Sequence, residues 1–106
     1  MDRLATLLEF LKDDPEDAFT RFALAQEYLK SGRTDEALDF FEGLVRDRPD
    51  YVGTYYHLGK LYEALGRDAA PTYRAGIEVA GRSGDLHARA ELQSALLEAE
   101  GLGFDD

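Results

Sequence analysis

Residues 17–49, DAFTRFALAQEYLKSGRTDEALDFFEGLVRDRP, and residues 51–80, YVGTYYHLGKLYEALGRDAAPTYRAGIEVA, decide the fold, because the second stretch is a displaced copy of the first. A shift of 34 residues places Pro15 on Pro49, Leu24 on Leu58, Ala25 on Gly59, Tyr28 on Tyr62, Gly32 on Gly66 and Arg33 on Arg67. The same frame run backwards places Leu4 on Leu38, Leu7 on Phe41, Phe10 on Leu44, Leu11 on Val45 and Asp13 on Asp47. A period of this length marks a supersecondary unit that cannot bury its apolar side alone and stacks on its neighbours. The opening dozen residues therefore read as half a unit.

Within each unit the apolar spacing is helical. It predicts six helices, over residues 3–13, 17–31, 35–47, 51–65, 68–80 and 85–100. Leu4, Leu7, Leu8 and Leu11 share one face of the first. The second is apolar on most sides and should be sandwiched, whereas the third sets Ala37, Leu38, Phe41, Leu44 and Val45 against Asp35, Glu36, Asp39, Glu42 and Arg46 and should be an outer wall. Thr34 is placed as its N-cap, ahead of acids that suit the positive end of the helix dipole. Pro71 restricts the start of the fifth helix, since proline is tolerated only in a first turn. Gly81-Arg82-Ser83-Gly84 reads as a turn, and residues 85–100 as a capping helix with Ala88, Leu92, Ala95, Leu96 and Ala99 on its apolar stripe.

Small residues explain how the helices pair. Ala25, Gly59, Ala37 and Ala69 let antiparallel helices approach closely. Gly32 and Gly66 suit the left-handed residue that ends a helix, and Pro15 and Pro49 exclude helical geometry just before them. The predicted organisation is one domain over residues 1–100. It comprises a half-unit at 1–14, a full unit at 15–48, a shortened unit at 49–82 and a cap at 85–100, with residues 101–106 as a flexible tail.

The pattern resembles the tetratricopeptide repeat. The first unit matches through Leu24-Ala25, Tyr28, Ala37, Phe41 and Pro49, and the second through Tyr55, Leu58-Gly59, Tyr62, Ala69 and Tyr73. The resemblance implies an all-α fold, a short right-handed α-solenoid of antiparallel helix pairs. It also implies a non-enzymatic protein-binding scaffold whose first helices line a concave groove. Two departures stand out. Arg21 occupies the usual large aromatic position of the first unit, so Phe22 or Phe19 is expected to supply that bulk. The second unit recovers its alanine and aromatic only after a two-residue deletion following Gly66, which must shorten either the turn or the first turn of the next helix.

Composition narrows the partners. The chain has 22 acidic against 12 basic residues and a net charge of -10, so its average field repels nucleic acid and anionic membrane surfaces. No cysteine is present, which removes disulfides, thiolate metal sites and cysteine nucleophiles. No apolar run is long enough to span a bilayer, and the opening Met1-Asp2-Arg3-Leu4 lacks a basic segment followed by an apolar one; a cytoplasmic location is the expectation.

Neither histidine has a sequence-local second ligand, so no metal or cofactor is expected, His57 reading as a groove residue and His87 as part of a first helical turn. The acids sit at helix starts and turns, where capping and solvation account for them, and no nucleophile–base pair is visible; an enzyme is not expected. Gly81 to Gly84 lacks the longer glycine pattern and lysine of a phosphate loop.

Carried onto this sequence, the family's contact positions give a peptide-binding groove of Phe19, Phe22, Gln26 and Lys30, with Leu29, from the first unit. The second contributes Tyr56, His57, Lys60 and Glu63, beginning at Gly53. Two of the three lysines fall here, with Arg89 of the cap expected nearby, which suggests a protein or peptide partner offering a carboxylate beside apolar groups. The set of lysines and asparagines with which chaperone-binding relatives grip terminal carboxylates is not met, since Phe22, Gln26 and His57 stand in its places. A homo-dimer pairing the exposed aromatic face with its own copy is the alternative.

Overall fold

The computed structural model describes residues 2–101. Its regular elements are all α-helices: α1 Arg3–Asp13, α2 Ala18–Lys30, α3 Thr34–Asp47, α4 Gly53–Ala64, α5 Ala70–Ser83 and α6 Leu86–Ala99. The chain divides into two compact units, one ending at Tyr51 and one starting at Val52. In the first, α1 packs on α2 and α2 on α3; in the second, α4 and α5 pair and α6 packs on both. Of the tail expected over residues 101–106, all but residue 101 lies outside the described residues.

Aspartates begin three of the helices. The carboxylates of Asp2, Asp17 and Asp85 accept the amides of Ala5, Thr20 and Ala88 at 2.8, 2.9 and 3.1 Å, satisfying donors that a helix start leaves without partners. Thr34 does not act this way. It is the first residue of α3, preceded by Arg33, which makes no side-chain cap. The cause is the tight α2–α3 connection. Gly32 reverses the chain at φ +78°, and the Arg33 amide donates back to the Tyr28 carbonyl at 2.8 Å, so α3 starts at once. Charge serves instead of a hydroxyl, with Asp35 and Glu36 in the first turn.

The deletion after Gly66 falls on a helix, not on the turn. It aligns Ala69 with Ala37 and Tyr73 with Phe41; Ala37 lies inside the first turn of α3, whereas Ala69 precedes α5. Asp68 accepts the Ala70 amide at 3.1 Å, and Pro71 follows inside the first turn, where no intrahelical donor is needed. α5 regains its length at the other end. Gly81, Arg82 and Ser83, predicted as a turn, continue the helix, and the chain reverses at Gly84 alone, φ +75°. One left-handed residue is enough to turn the chain, so the preceding three stay helical. α4 likewise starts later than its apolar pattern suggests, because the ring of Tyr51 stays with the first unit, 5.7 Å from Phe22.

Each unit closes its helix pair differently. In the first, Arg21 itself fills the aromatic position, only 8% exposed, and Phe19 supplies no bulk there, being 61% exposed. The Arg21 guanidinium lies 2.8 Å from Asp47 on α3 and 3.8 Å from Glu16, over the bare backbone of Gly43. Phe22 is half-buried, edge-on to Phe41 at 6.0 Å. In the second unit the counterpart of Arg21 is Tyr55, buried against Gly76, while the ring of Tyr73 covers Gly59. A Cβ on either glycine would overlap the facing tyrosine, which is why the sequence has none there.

Candidate functional site

The first-unit candidates form a stripe along α2, since residues three, four and seven apart share a helix face. Phe19 is exposed at its start, Phe22 and Gln26 are half-buried in the middle, and Leu29 and Lys30 are exposed at its end. Phe22 is rooted by Phe41 and Tyr51, which makes the stripe stiff where it is aromatic. Lys30 approaches Glu27 at 3.3 Å, and Glu27 also takes Arg3 of α1 at 3.0 Å. Its charge is thus already partly balanced.

On α4, Tyr56, His57 and Lys60 come together. The Tyr56 and His57 rings meet edge-on at 5.6 Å, and Lys60 Nζ lies 5.6 Å from the Tyr56 centroid. Burial holds the His57 imidazole below its usual pKa, against the opposing pull of Glu91, so it is neutral at neutral pH and offers a donor and an acceptor rather than a charge. Glu63 is turned to another task. Its carboxylate accepts the Tyr73 hydroxyl at 2.5 Å, tying α4 to α5. Burial, together with that bond, raises the Tyr73 phenol well above its usual range.

What α6 sets beside Lys60 is a carboxylate, Glu98 at 3.9 Å. Nothing in the sequence marks Glu98 among so many acids. His87 is exposed in the first turn of α6, as expected. Among the described residues no group of three or more histidines and carboxylates is gathered to hold a metal ion, and no helix is long and apolar enough to cross a membrane. The stripes can therefore offer apolar contact, ring faces, a neutral imidazole and two lysines whose present ion pairs are partly solvated.

Comparison with known proteins accords with the repeat. The family model described as tetratricopeptide repeat matches residues 4–52 and 22–75. A TPR repeat-containing protein, PA0015, of Pseudomonas aeruginosa is 28% identical over 81% of this chain and 84% of its own length. Cellulose synthase operon protein C of Pseudomonas fluorescens is 36% identical over 49% of this chain, which spans only 4% of that protein.

Among solved structures, the solution structure of a tetratricopeptide repeat domain protein from Salinibacter ruber superposes with a TM-score of 0.80 at 59% identity, covering 88% of this chain and 96% of that one. A crystal structure of a tetratricopeptide repeat domain protein from the same organism gives 0.78 at 61% identity, over 82% and 99%. Protein BPP2914 of Bordetella parapertussis, 24% identical, shares the fold at a TM-score of 0.78 over 94% of this chain and 89% of that one. With six helices, no strand among the described residues, and a family match over more than half its length, the chain belongs to the tetratricopeptide repeat family.

Proposed function

We propose that the chain binds a segment of another protein along the first helices of its repeats, through the stripes that α2 and α4 each present. Protein–protein interaction is the general role that membership of this family suggests. The finer reading rests on one observation: the outer stripe of α2 is apolar where it meets solvent, at Phe19 and Leu29, flanking a ring fixed in place at Phe22. A solvated helix face would carry charge there. An incoming carboxylate would compete with Glu27 and Glu98 for Lys30 and Lys60, whose ion pairs are still partly solvated and give way at small cost.

The test is a titration of isotope-labelled protein with short peptides that end in a carboxylate beside leucine or phenylalanine, and with their amidated forms. Amide shifts should move on α2 and α4. Affinity should fall about tenfold on amidation and on the Tyr56→Ala/Lys60→Ala change, the equivalent of one charge-assisted contact. Shifts confined to α3 and α5, or equal binding by wild type and variant, would place binding elsewhere.

A further inference from the structure

The repeat frame allows each terminal helix to be compared with its counterpart inside a complete pair. α1 stands where α3 stands, one repeat later, and α6 stands where α2 stands, two repeats earlier; Asp17 and Asp85 even cap the two first helices alike. Leu44 of α3 is fully buried, but Phe10, its equivalent on α1, is 54% exposed. On α2, the stripe Ala18, Arg21, Ala25 and Tyr28 is buried. On α6 the same positions hold Leu86, 70% exposed, exposed Arg89 and Gln93, and half-buried Leu96. Leu92, the equivalent of Leu24, is buried in both settings. Among the described residues, then, α1 is a second helix with no first helix over it and α6 a first helix with no second.

We propose that copies of this chain associate head to tail, α6 of one seating on α1 of the next and completing a pair built as α2 is on α3. Charge supplies the register. Arg89 occupies the position of Arg21, and Asp13 that of Asp47, so the ion pair that closes the first unit would form again between copies. Asp13 and Arg89 are both exposed, and neither is ion-paired among the described residues. Glu9 takes the place of Gly43, whose bare backbone lies under the guanidinium in the intact pair, so Arg89 would lie further out than Arg21 does and meet a second carboxylate there; the exposed contact of Glu9 with Lys12, 3.3 Å, exchanges easily.

Size follows the same logic. Where the first helix has Gly59 the second has Tyr73, and where it has Ala25 the second has Phe41. The second-helix residue shrinks as its partner grows. A single pair of short helices makes a small interface, so association is weak and depends on concentration. It is also heterologous: each copy keeps a free head and a free tail, unlike a two-fold dimer of aromatic faces.

Two exposed substitutions test this without touching the core. Phe10→Asp blocks the head and Leu86→Asp the tail. In sedimentation equilibrium, the wild-type average mass should climb above the 11.8 kDa of one chain as concentration rises. Each variant alone, with an unchanged circular-dichroism spectrum, should stay at that mass. An equimolar mixture of the two should form a one-to-one dimer and stop, since one contributes the intact tail and the other the intact head. Reversing the ion pair with Asp13→Arg or Arg89→Asp should weaken wild-type association about tenfold, and the double reversal should restore it. The proposal fails if the wild type remains monomeric to about millimolar concentration. It fails equally if only one of the two blocking variants prevents association, if neither does, or if their mixture does not pair.

Discussion

The α2–α3 pair and the α4–α5 pair are the same repeat closed in two ways. In the first, a long cation crosses the contact, its guanidinium over Gly43 and its charge held by Asp47. In the second, two tyrosines interlock with two glycines, Tyr73 over Gly59 and Tyr55 against Gly76. The first solution has slack, because an arginine stem bends and its carboxylate partner is partly solvated. The second has none. One chain therefore closes the same repeat with two different chemistries, each fitted to its own neighbours.

The sharpest way to break the comparison is Gly59→Ala. The added methyl would overlap the ring of Tyr73, which is fully buried and tied by its hydroxyl to Glu63, so it cannot swing aside. A loss of about 3 kcal/mol is expected from this overpacking, read by urea denaturation. The first unit already has alanine at the equivalent position, Ala25, and there Ala25→Gly should cost only about 1 kcal/mol, from helix propensity. Comparable losses at the two sites would mean that the tyrosine lock is not what distinguishes the pairs.

Next in size is Arg21→Met, which keeps most of the buried stem and removes the charge. Breaking a fully buried pair costs 3–5 kcal/mol, and the partial exposure of Asp47 reduces this to about 2 kcal/mol. Arg21→Tyr, which copies the second unit's residue, should be no better, because Leu44 stands where Gly76 makes room for Tyr55. A tyrosine variant as stable as wild type would show that the two closures can be exchanged one residue at a time.

Much of this was legible in the sequence, because a 34-residue period fixes helix number, pairing and the small residues between helices together. Gly32 and Gly66 announced the left-handed reversals, and the buried alanines fell where close approach requires them. Arg21 was not legible. Its place in the core depends on Asp47, distant in sequence, and on the bare backbone of Gly43, neither of which a local pattern reveals. The stretch from Gly81 to Ser83 misled for the opposite reason: its composition is that of a turn, but Gly84 alone makes the reversal. Of the candidate site, the positions came from the family's contact pattern, and helical spacing adds only that those of one helix share a face. The attachment of Glu63 to Tyr73 and the approach of Glu98 to Lys60 could be read from neither, since both are made by helices that meet only after folding.

The smallest effect separates the pairs by pH. Hydrogen bonds from Arg21 and then Arg46 hold the Asp47 carboxyl below its usual 3.8, and the Thr20 hydroxyl and amide do the same for Asp17. Carboxyls lowered by folding contribute stability that is complete above 3.8 and is lost as pH falls through their folded values. The second pair has the opposite dependence. Tyr73 is raised by burial and by its bond to Glu63, so its contribution is complete below 10.0 and declines as pH rises beyond that. Thermal melts of wild type and Asp47→Asn should therefore keep their separation down to about pH 4 and converge only below it. Melts of wild type and Tyr73→Phe should instead change in relation only on the alkaline side. Above about pH 10 the wild type should lose stability more steeply, because only its phenol must ionise on unfolding. Parallel curves at the alkaline end would mean that the Tyr73 hydroxyl is solvated rather than locked, and the contrast between the two closures would then reduce to the glycines alone.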